Sequence, residues 1–295
     1  MQKKTYFEGW YFKHQNLNST VCIIPAIHKS RNGTASASIQ VISDTVSEMI
    51  PFSEQEVKIY REPLSIIIGN CFFSKTGIDI NIERKDFYAV GKILYQNSIP
   101  LKYDVMGPFR LIPFLQCNHG VISMRHQLNG FLHLNEKKYD FNGGIGYIEK
   151  DWGSSFPDSY VWTQCNDFDE ENCSVMVSVA DIPLGIRKFT GFICCIYYKE
   201  KEYRLATYCG GKVIQKDRSQ IHIQQGTSTL LVELISETPK PLFAPVNGIL
   251  SRTVQESIAC TVRYRFSIGK QVVFDLTSNH AGYEFAEKED GNANI

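Results

Sequence analysis

Two tryptophan-bearing stretches, Tyr6-Phe7-Glu8-Gly9-Trp10-Tyr11-Phe12-Lys13 and Glu149-Lys150-Asp151-Trp152-Gly153-Ser154-Ser155-Phe156-Pro157, set carboxylates beside an indole in an aromatic, glycine-punctuated context. That combination suits a proton donor meeting an apolar ligand. A carboxyl group buried against indole rings is disfavoured as an anion, so it keeps its proton near neutral pH, as a general acid must. Glu8, Glu149 and Asp151 are the candidate acids. In an extended strand Glu149 and Asp151 share one face and Lys150 takes the other. Two carboxyls that close push their pKa values apart, leaving one proton holder and one acceptor, provided their face points into a barrel. The competing reading is structural: charged groups beside a buried tryptophan are often ion-pair partners.

Further along, Trp162, Gln164 and Asn166 are spaced two apart, so a regular strand puts all three on one face. Inward-facing amides there would orient a phenol or quinone oxygen; the alternative is that they satisfy backbone groups at a bulge or turn. Lys13 and Arg110 read as solvated surface cations. His119, His126 and His133 are spaced seven apart, which alternates faces in a strand, and no neighbouring Cys or carboxylate spacing completes a zinc site, so no metal is expected. Asn142-Gly143-Gly144-Ile145-Gly146 is glycine-rich but opens no helix after a strand, which argues against a phosphate or dinucleotide loop.

The elements that must position these residues are strands. Ile78, Ile80 and Ile82 alternate with Asp79, Asn81 and Glu83, and Ile258, Cys260, Val262, Tyr264, Phe266 and Ile268 alternate with smaller or polar residues. Similar runs occupy 21–27, 35–43, 64–68, 175–179, 189–198, 230–235 and 272–277, with turns such as Arg31-Asn32-Gly33 between them, and no long amphipathic helix intervenes. The expected class is all-β, in two antiparallel barrels, because the strands are too many for one small barrel. Met106–Phe114 interrupts the alternation, and the glycines at 143–146 suggest a boundary that divides the chain into 1–143 and 144–295, with the second tryptophan motif heading the second barrel. The polar end Gly291–Asn294 reads as a frayed terminus.

Composition narrows the partners. Lys and Arg total 31, as do Asp and Glu, so no overall field recruits nucleic acid. Nine cysteines without a C-x-x-C pair read as reduced, mostly buried thiols. No apolar stretch has the length or flanks of a signal peptide or a spanning helix, so a cytoplasmic protein with at most transient membrane contact is expected.

Taken together, Y-F-E-G-W-Y-F-K at 6–13, G-Y-I-E-K-D-W-G-S-S-F-P at 146–157 and the following Trp162-Thr163-Gln164-Cys165-Asn166 resemble the tocopherol cyclase-like family, with weaker echoes at Ser251-Arg252 and Ala281-Gly282-Tyr283-Glu284-Phe285. The resemblance covers nearly the whole chain and implies two consecutive lipocalin-like barrels, similar to carotenoid hydratases. It implies cofactor-independent acid catalysis: cyclisation, hydration or isomerisation of an isoprenoid or prenylated-quinol-like substrate. Chromanol-ring formation needs a proton for a trisubstituted alkene, stabilisation of the cation and loss of the phenolic proton. Asp151 or Glu149, or Glu8, would supply the acid. Trp10, Tyr11, Trp152, Tyr160 and Trp162 would face the cation, and Gln164 and Asn166 would orient an oxygen. A non-catalytic carrier of a lipophilic molecule would use the same pocket with structural carboxylates.

Overall fold

The computed structural model describes residues 4–17, 19–112, 115–168, 172–184 and 187–287. The Gly291–Asn294 end, and Pro113 and Phe114 of the interrupting segment, lie outside them; Gly107–Leu111 of that segment forms a 3-10 helix. Antiparallel strands dominate, and the chain divides into two compact units, each with its own sheet and apolar core.

The first unit holds β1 (Tyr6–Asn16), β2 (Ser19–Lys29), β3 (Ala35–Ile42), β4 (Ser47–Ser53), β5 (Val57–Arg61), β6 (Leu64–Ile68), β7 (Cys71–Ser74), β8 (Gly77–Glu83), β9 (Tyr88–Ile99), β10 (Cys117–Leu134), β11 (Lys137–Asp140) and β12 (Ile145–Gly153). Their order in the sheet is β4-β3-β2-β1-β12-β10-β9-β8-β7-β6-β5, with β11 paired to β10. Period-two alternation does what it predicts: Ile78, Ile80 and Ile82 are buried and Asp79, Asn81 and Glu83 exposed. The sheet curls on itself, since Arg61 on the terminal β5 reaches Glu8 on β1 at 2.6 Å. The ring of Phe52 on β4 packs over Gly69 beyond β6, where an added methyl would come within 2.7 Å of it. Trp10, Phe12, Ile23, Ile39, Ile66, Phe73 and Leu132 fill the interior.

The second sheet, all of which except residues 242–252 lies in the second unit, is built on β13 (Tyr160–Cys165), β14 (Cys173–Leu184), β15 (Arg187–Tyr198), β16 (Lys201–Ala206), β17 (Lys212–Lys216), β18 (Gln220–Gln225), β19 (Ser228–Ser236), β20 (Lys240–Val246), β21 (Ile249–Ile268) and β22 (Gln271–Ala286), ordered β16-β15-β14-β13-β22-β21-β19-β18-β17 with β20 paired to β21. It curls in the same way. The Gln225 amide on β18 accepts from Ala206 N at 2.9 Å and donates to Arg204 O at 3.2 Å, joining β18 to β16 at the opposite end of the order. Val161, Val177, Cys194, Val262, Tyr264 and Phe266 form its core. The architecture is that of two lipocalin-like antiparallel barrels.

One expectation is corrected. The second tryptophan motif does not head a second barrel: it is β12, inserted between β1 and β10, with Glu8 opposite Trp152 and Trp10 opposite Lys150. The two motifs are neighbouring rungs of one ladder. The glycines at 143–146 turn the chain back onto β10, with Gly143 in the left-handed region at φ 74, and do not divide two domains. The main crossing between units falls between Ser155 and Phe156, and segments 107–116 and 242–252 join the second and first unit respectively.

Candidate active site

β12 has two buried faces, and its alternation separates the charges. Lys150 and Trp152 lie on the side of Trp10 and the core. There Glu8 accepts from Arg61 Nη1 at 2.6 Å and Nη2 at 2.8 Å and from Tyr6 Oη at 2.9 Å, and pairs with Lys150 Nζ at 2.6 Å. Burial raises the Glu8 pKa, but the bonds from Arg61, Lys150 and Tyr6 outweigh it and carry the group below its ordinary value. The carboxylate is thus held ionised, which argues against Glu8 as the proton donor. The Lys150 ammonium lies 4.7 Å from the centroid of the Trp152 ring and 5.7 Å from that of Trp10. Gly120, opposite Lys150 on β10, makes room for this stack, since a methyl there would sit 3.2 Å from Trp152. Trp10 is fully enclosed by the core, so this cluster closes the barrel interior.

Tyr147, Glu149 and Asp151 occupy the other face. They share one face, as their spacing predicts, but that face is opposite the apolar core. It is buried even so: Glu149, Tyr147, Tyr11 and Lys13 are all enclosed, Lys13 completely, although its sequence context reads as surface. Cross-strand register sets the neighbours, with Tyr11 beside Glu149, Lys13 beside Tyr147, and His119 of β10 beside Asp151. The Tyr11 hydroxyl accepts from the Cys22 thiol at 3.0 Å.

His119 joins the two carboxylates. Its Nδ1 lies 2.9 Å from Asp151 Oδ1 and its Nε2 3.3 Å from Glu149 Oε2; Tyr147 donates to that same Glu149 oxygen at 2.6 Å. Burial alone would lower the His119 pKa, but Glu149 and Asp151 override it and raise it well above the ordinary value, so the ring carries its proton at neutral pH. The Asp151 side chain is 22% exposed and that of Glu149 6%, which makes Asp151 the accessible end. The ligand atoms of His119, Glu149 and Asp151 lie within 4.8 Å of one another, a set that could also hold a divalent ion. Sequence spacing missed His119 because its partners come from the adjacent strand. The hint available was a histidine on a strand flanking a doubly acidic one.

In the second unit Trp162 and Gln164 lie on the same face of β13, with buried Tyr160 on that face and buried Asn166 just beyond the strand. This face too is opposite the core, which takes Val161 and Cys165. Tyr160 donates to Glu284, which stands opposite Trp162 and also opposite Glu256 of β21. Both glutamates are buried, and neither is marked by a spacing motif. The predicted residues therefore fall into two groups, Glu8 to Trp152 in the first unit and Tyr160 to Asn166 in the second.

The other histidines separate by face. His126 lies inside the first barrel, its ring centroid 4.3 Å from that of Tyr95, whose hydroxyl is 2.6 Å from His14 Nε2. Burial lowers the pKa of His14 to about 4 and that of His126 to about 3, so both are neutral.

The sequence profile of the tocopherol cyclase-like family matches residues 104–286, more than half of the chain. The chain belongs to the tocopherol cyclase-like family. Among curated members, tocopherol cyclase of Zea mays is 32% identical over 243 residues, covering 63% of this chain and 50% of that protein. A probable tocopherol cyclase of Oryza sativa is 29% identical over 103 residues, 33% of this chain and 22% of its own. The chain thus spans half or less of the length of these relatives. Solved structures with the same fold include kievitone hydratase from Nectria haematococca (TM-score 0.54, 9% identity, covering 97% of this chain and 90% of that one) and CghA with Sch210972 (TM-score 0.54, 9% identity, 96% and 89%). No helix among the described residues of this family member is long and apolar enough to cross a membrane.

Proposed function

We propose that this tocopherol cyclase-like protein is a cyclase- or hydratase-type enzyme that protonates a double bond of an apolar, isoprenoid-like substrate, with Asp151 as the delivering acid. The observation that carries this reading is the bridging of two carboxylates by one imidazole, Asp151 on Nδ1 and Glu149 on Nε2. Family membership supports the reaction class, and the relatives named as tocopherol cyclases support a prenylated quinol or a similar lipid as substrate.

The geometry supports a closed proton cycle. The His119 Nδ1 proton passes to Asp151 and on to the alkene carbon: a C–H bond forms, the π bond breaks, and the adjacent carbon becomes a tertiary cation. A hydroxyl of the substrate, or water, adds its oxygen to that cation, and the proton released goes to the Asp151 carboxylate. Transfer from Asp151 to the vacated His119 Nδ1 restores the starting state, while Glu149, beside Nε2, stabilises the charged ring. Nothing is oxidised or reduced, so the cycle requires no redox partner. The Glu149 carboxylate lies 3.3 Å from Nε2, close enough for its charge to favour the imidazolium.

Asp151→Asn and His119→Gln are expected to lower kcat on a prenylated hydroquinone by about a hundredfold or more while Kd changes little, general acid–base contributions being on the order of 10²–10⁴. Turnover assays with parallel equilibrium binding check this. Full activity in Asp151→Asn would refute the assignment, and tight binding with no product in the wild type would favour a carrier.

A further inference from the structure

The accessible end of the His119 cluster carries a thiol that the proton cycle does not use. Cys117 and His119 are two apart on β10 and share a face, with Cys117 opposite Gly153 and His119 opposite Asp151 on β12. Cys117 Sγ lies 3.9 Å from Asp151 Oδ1, the same oxygen that stands 2.9 Å from His119 Nδ1. Cys117 is partly exposed and the Asp151 side chain is 22% exposed, so this end of the cluster is open to solutes. Sulfur, imidazole nitrogen and carboxylate oxygen thus converge from two strands, a set that spacing along one strand does not reveal.

These three atoms have nearly the spacing that a tetrahedral zinc ion requires. With Zn–N and Zn–O bonds of about 2.0 Å and a Zn–S bond of about 2.3 Å, the tetrahedron has edges of about 3.3 Å between nitrogen and oxygen and about 3.5 Å between sulfur and oxygen. The observed 2.9 Å and 3.9 Å each lie within about 0.4 Å of these edges, a gap that side-chain rotation closes. A thiolate and an imidazole favour zinc or cobalt over magnesium and calcium, which take oxygen ligands. The far side of the ring fits as well. Nε2 stands 3.3 Å from Glu149 Oε2, and a histidine that ligates a metal through one nitrogen characteristically gives its other N–H to a carboxylate, carbonyl or water. Tyr147 donates to that same Glu149 oxygen at 2.6 Å and fixes the carboxylate in turn.

We propose that Cys117, His119 through Nδ1 and Asp151 form a zinc site, with Glu149 as the outer carboxylate, and that the bound ion switches the acid off. Binding releases the thiol proton and the Nδ1 proton to solvent, with no change of oxidation state. With zinc between Nδ1 and Asp151, the proton that the cycle delivers is gone and the carboxylate that delivers it is occupied. The inhibition rests on the reading of Asp151 as the acid, whereas the site itself is tested without turnover.

The probes are Co²⁺ and Zn²⁺, added to the intact protein after treatment with EDTA and dialysis. Co²⁺ is expected to bind once per chain and give the near-ultraviolet absorption of a cobalt-thiolate bond, and Zn²⁺ to abolish that band by displacement. Cys117→Ser is expected to lose the band, while Cys209→Ser, which removes the exposed thiol, keeps it. His119→Gln repeats the loss if Cys117→Ser does not fold. Glu149→Gln is expected to weaken Zn²⁺ by about 10–100-fold, the usual effect of removing an outer carboxylate. Turnover of a prenylated hydroquinone by the wild type is expected to fall about tenfold or more at saturating Zn²⁺ and to return with EDTA, and Cys117→Ser to need about tenfold more Zn²⁺ for half inhibition. Absence of the band in the wild type, or its persistence in folded Cys117→Ser, overturns the site, and full turnover with Zn²⁺ bound overturns the switch. Turnover without metal binding sinks the site and leaves the acid; metal binding in a wild type that makes no product does the reverse.

Discussion

His119 shows how one side chain changes the meaning of its neighbours. Glu149 and Asp151 alone would be two acids on a strand; an imidazole between them, one nitrogen to each, joins them into one charged cluster. Glu8 shows the converse, since three donors hold its carboxylate ionised and fix it as an anchor for Arg61 and Lys150. The cluster on His119 also has the donor set of a metal site, and chelation separates the two chemistries. If the proton cycle operates, exhaustive treatment with EDTA and dialysis leaves kcat within about twofold of its starting value. Loss of activity on chelation with recovery on adding one divalent ion would move the mechanism to a Lewis acid.

At the scale of elements, β12 matters because it is central and buried on both faces. Its Gly146 pairs with His126, and a methyl on Gly146 would lie 2.1 Å from His126 Nε2 and 2.8 Å from two ring carbons. That ring is confined by Tyr95 and bonded to Ser123 at 3.0 Å, so it cannot simply swing away. Gly146→Ala is therefore expected to destabilise the fold by about 1–3 kcal/mol through overpacking. Adding His126→Ala should recover part of this loss, since the clash disappears with the ring. Urea unfolding of both single variants and the double variant measures the coupling, and strictly additive losses would show that the contact does not limit β12.

For the whole molecule, buried neutral histidines set an acid limit. His14 and His28 titrate at about 4 and His126 at about 3 in the folded protein, against 6.5 for a solvated histidine, because burial disfavours the imidazolium. Above pH 6.5 these groups are neutral in both states and add no pH dependence. Below it the unfolded chain binds protons that the folded chain does not, so stability falls as pH drops from 6.5 to about 4, by on the order of 3 kcal/mol for each group over that window. His119 has the opposite sign: its raised pKa stabilises the fold below 6.5, and this contribution is lost as pH rises through the folded value. The urea midpoint is expected to fall steeply between pH 6.5 and 4, with a shallower fall in His126→Phe. A midpoint independent of pH over that window would contradict the burial assigned to these rings.

The sequence by itself determined the strands and the residue types of the site. Alternation such as Ile78-Asp79-Ile80 is local, because a pleat turns successive side chains to opposite faces whatever surrounds them, and the run 64–68 is a strand with those bounds. The same rule put Glu149 and Asp151 together and parted them from Lys150. It also put Trp162 with Gln164. Pairing is not local. Nothing in the order of residues says that β12 lies between β1 and β10, so the two tryptophan motifs read as heads of separate barrels when they are rungs of one ladder. Nor can periodicity say which face meets the apolar core, since both faces of β12 are buried and only the curl of the sheet distinguishes them. Tertiary structure alone brought His119 to the two carboxylates and gave Glu8 to Arg61 and Lys150, because each of these depends on which strands hydrogen-bond side by side.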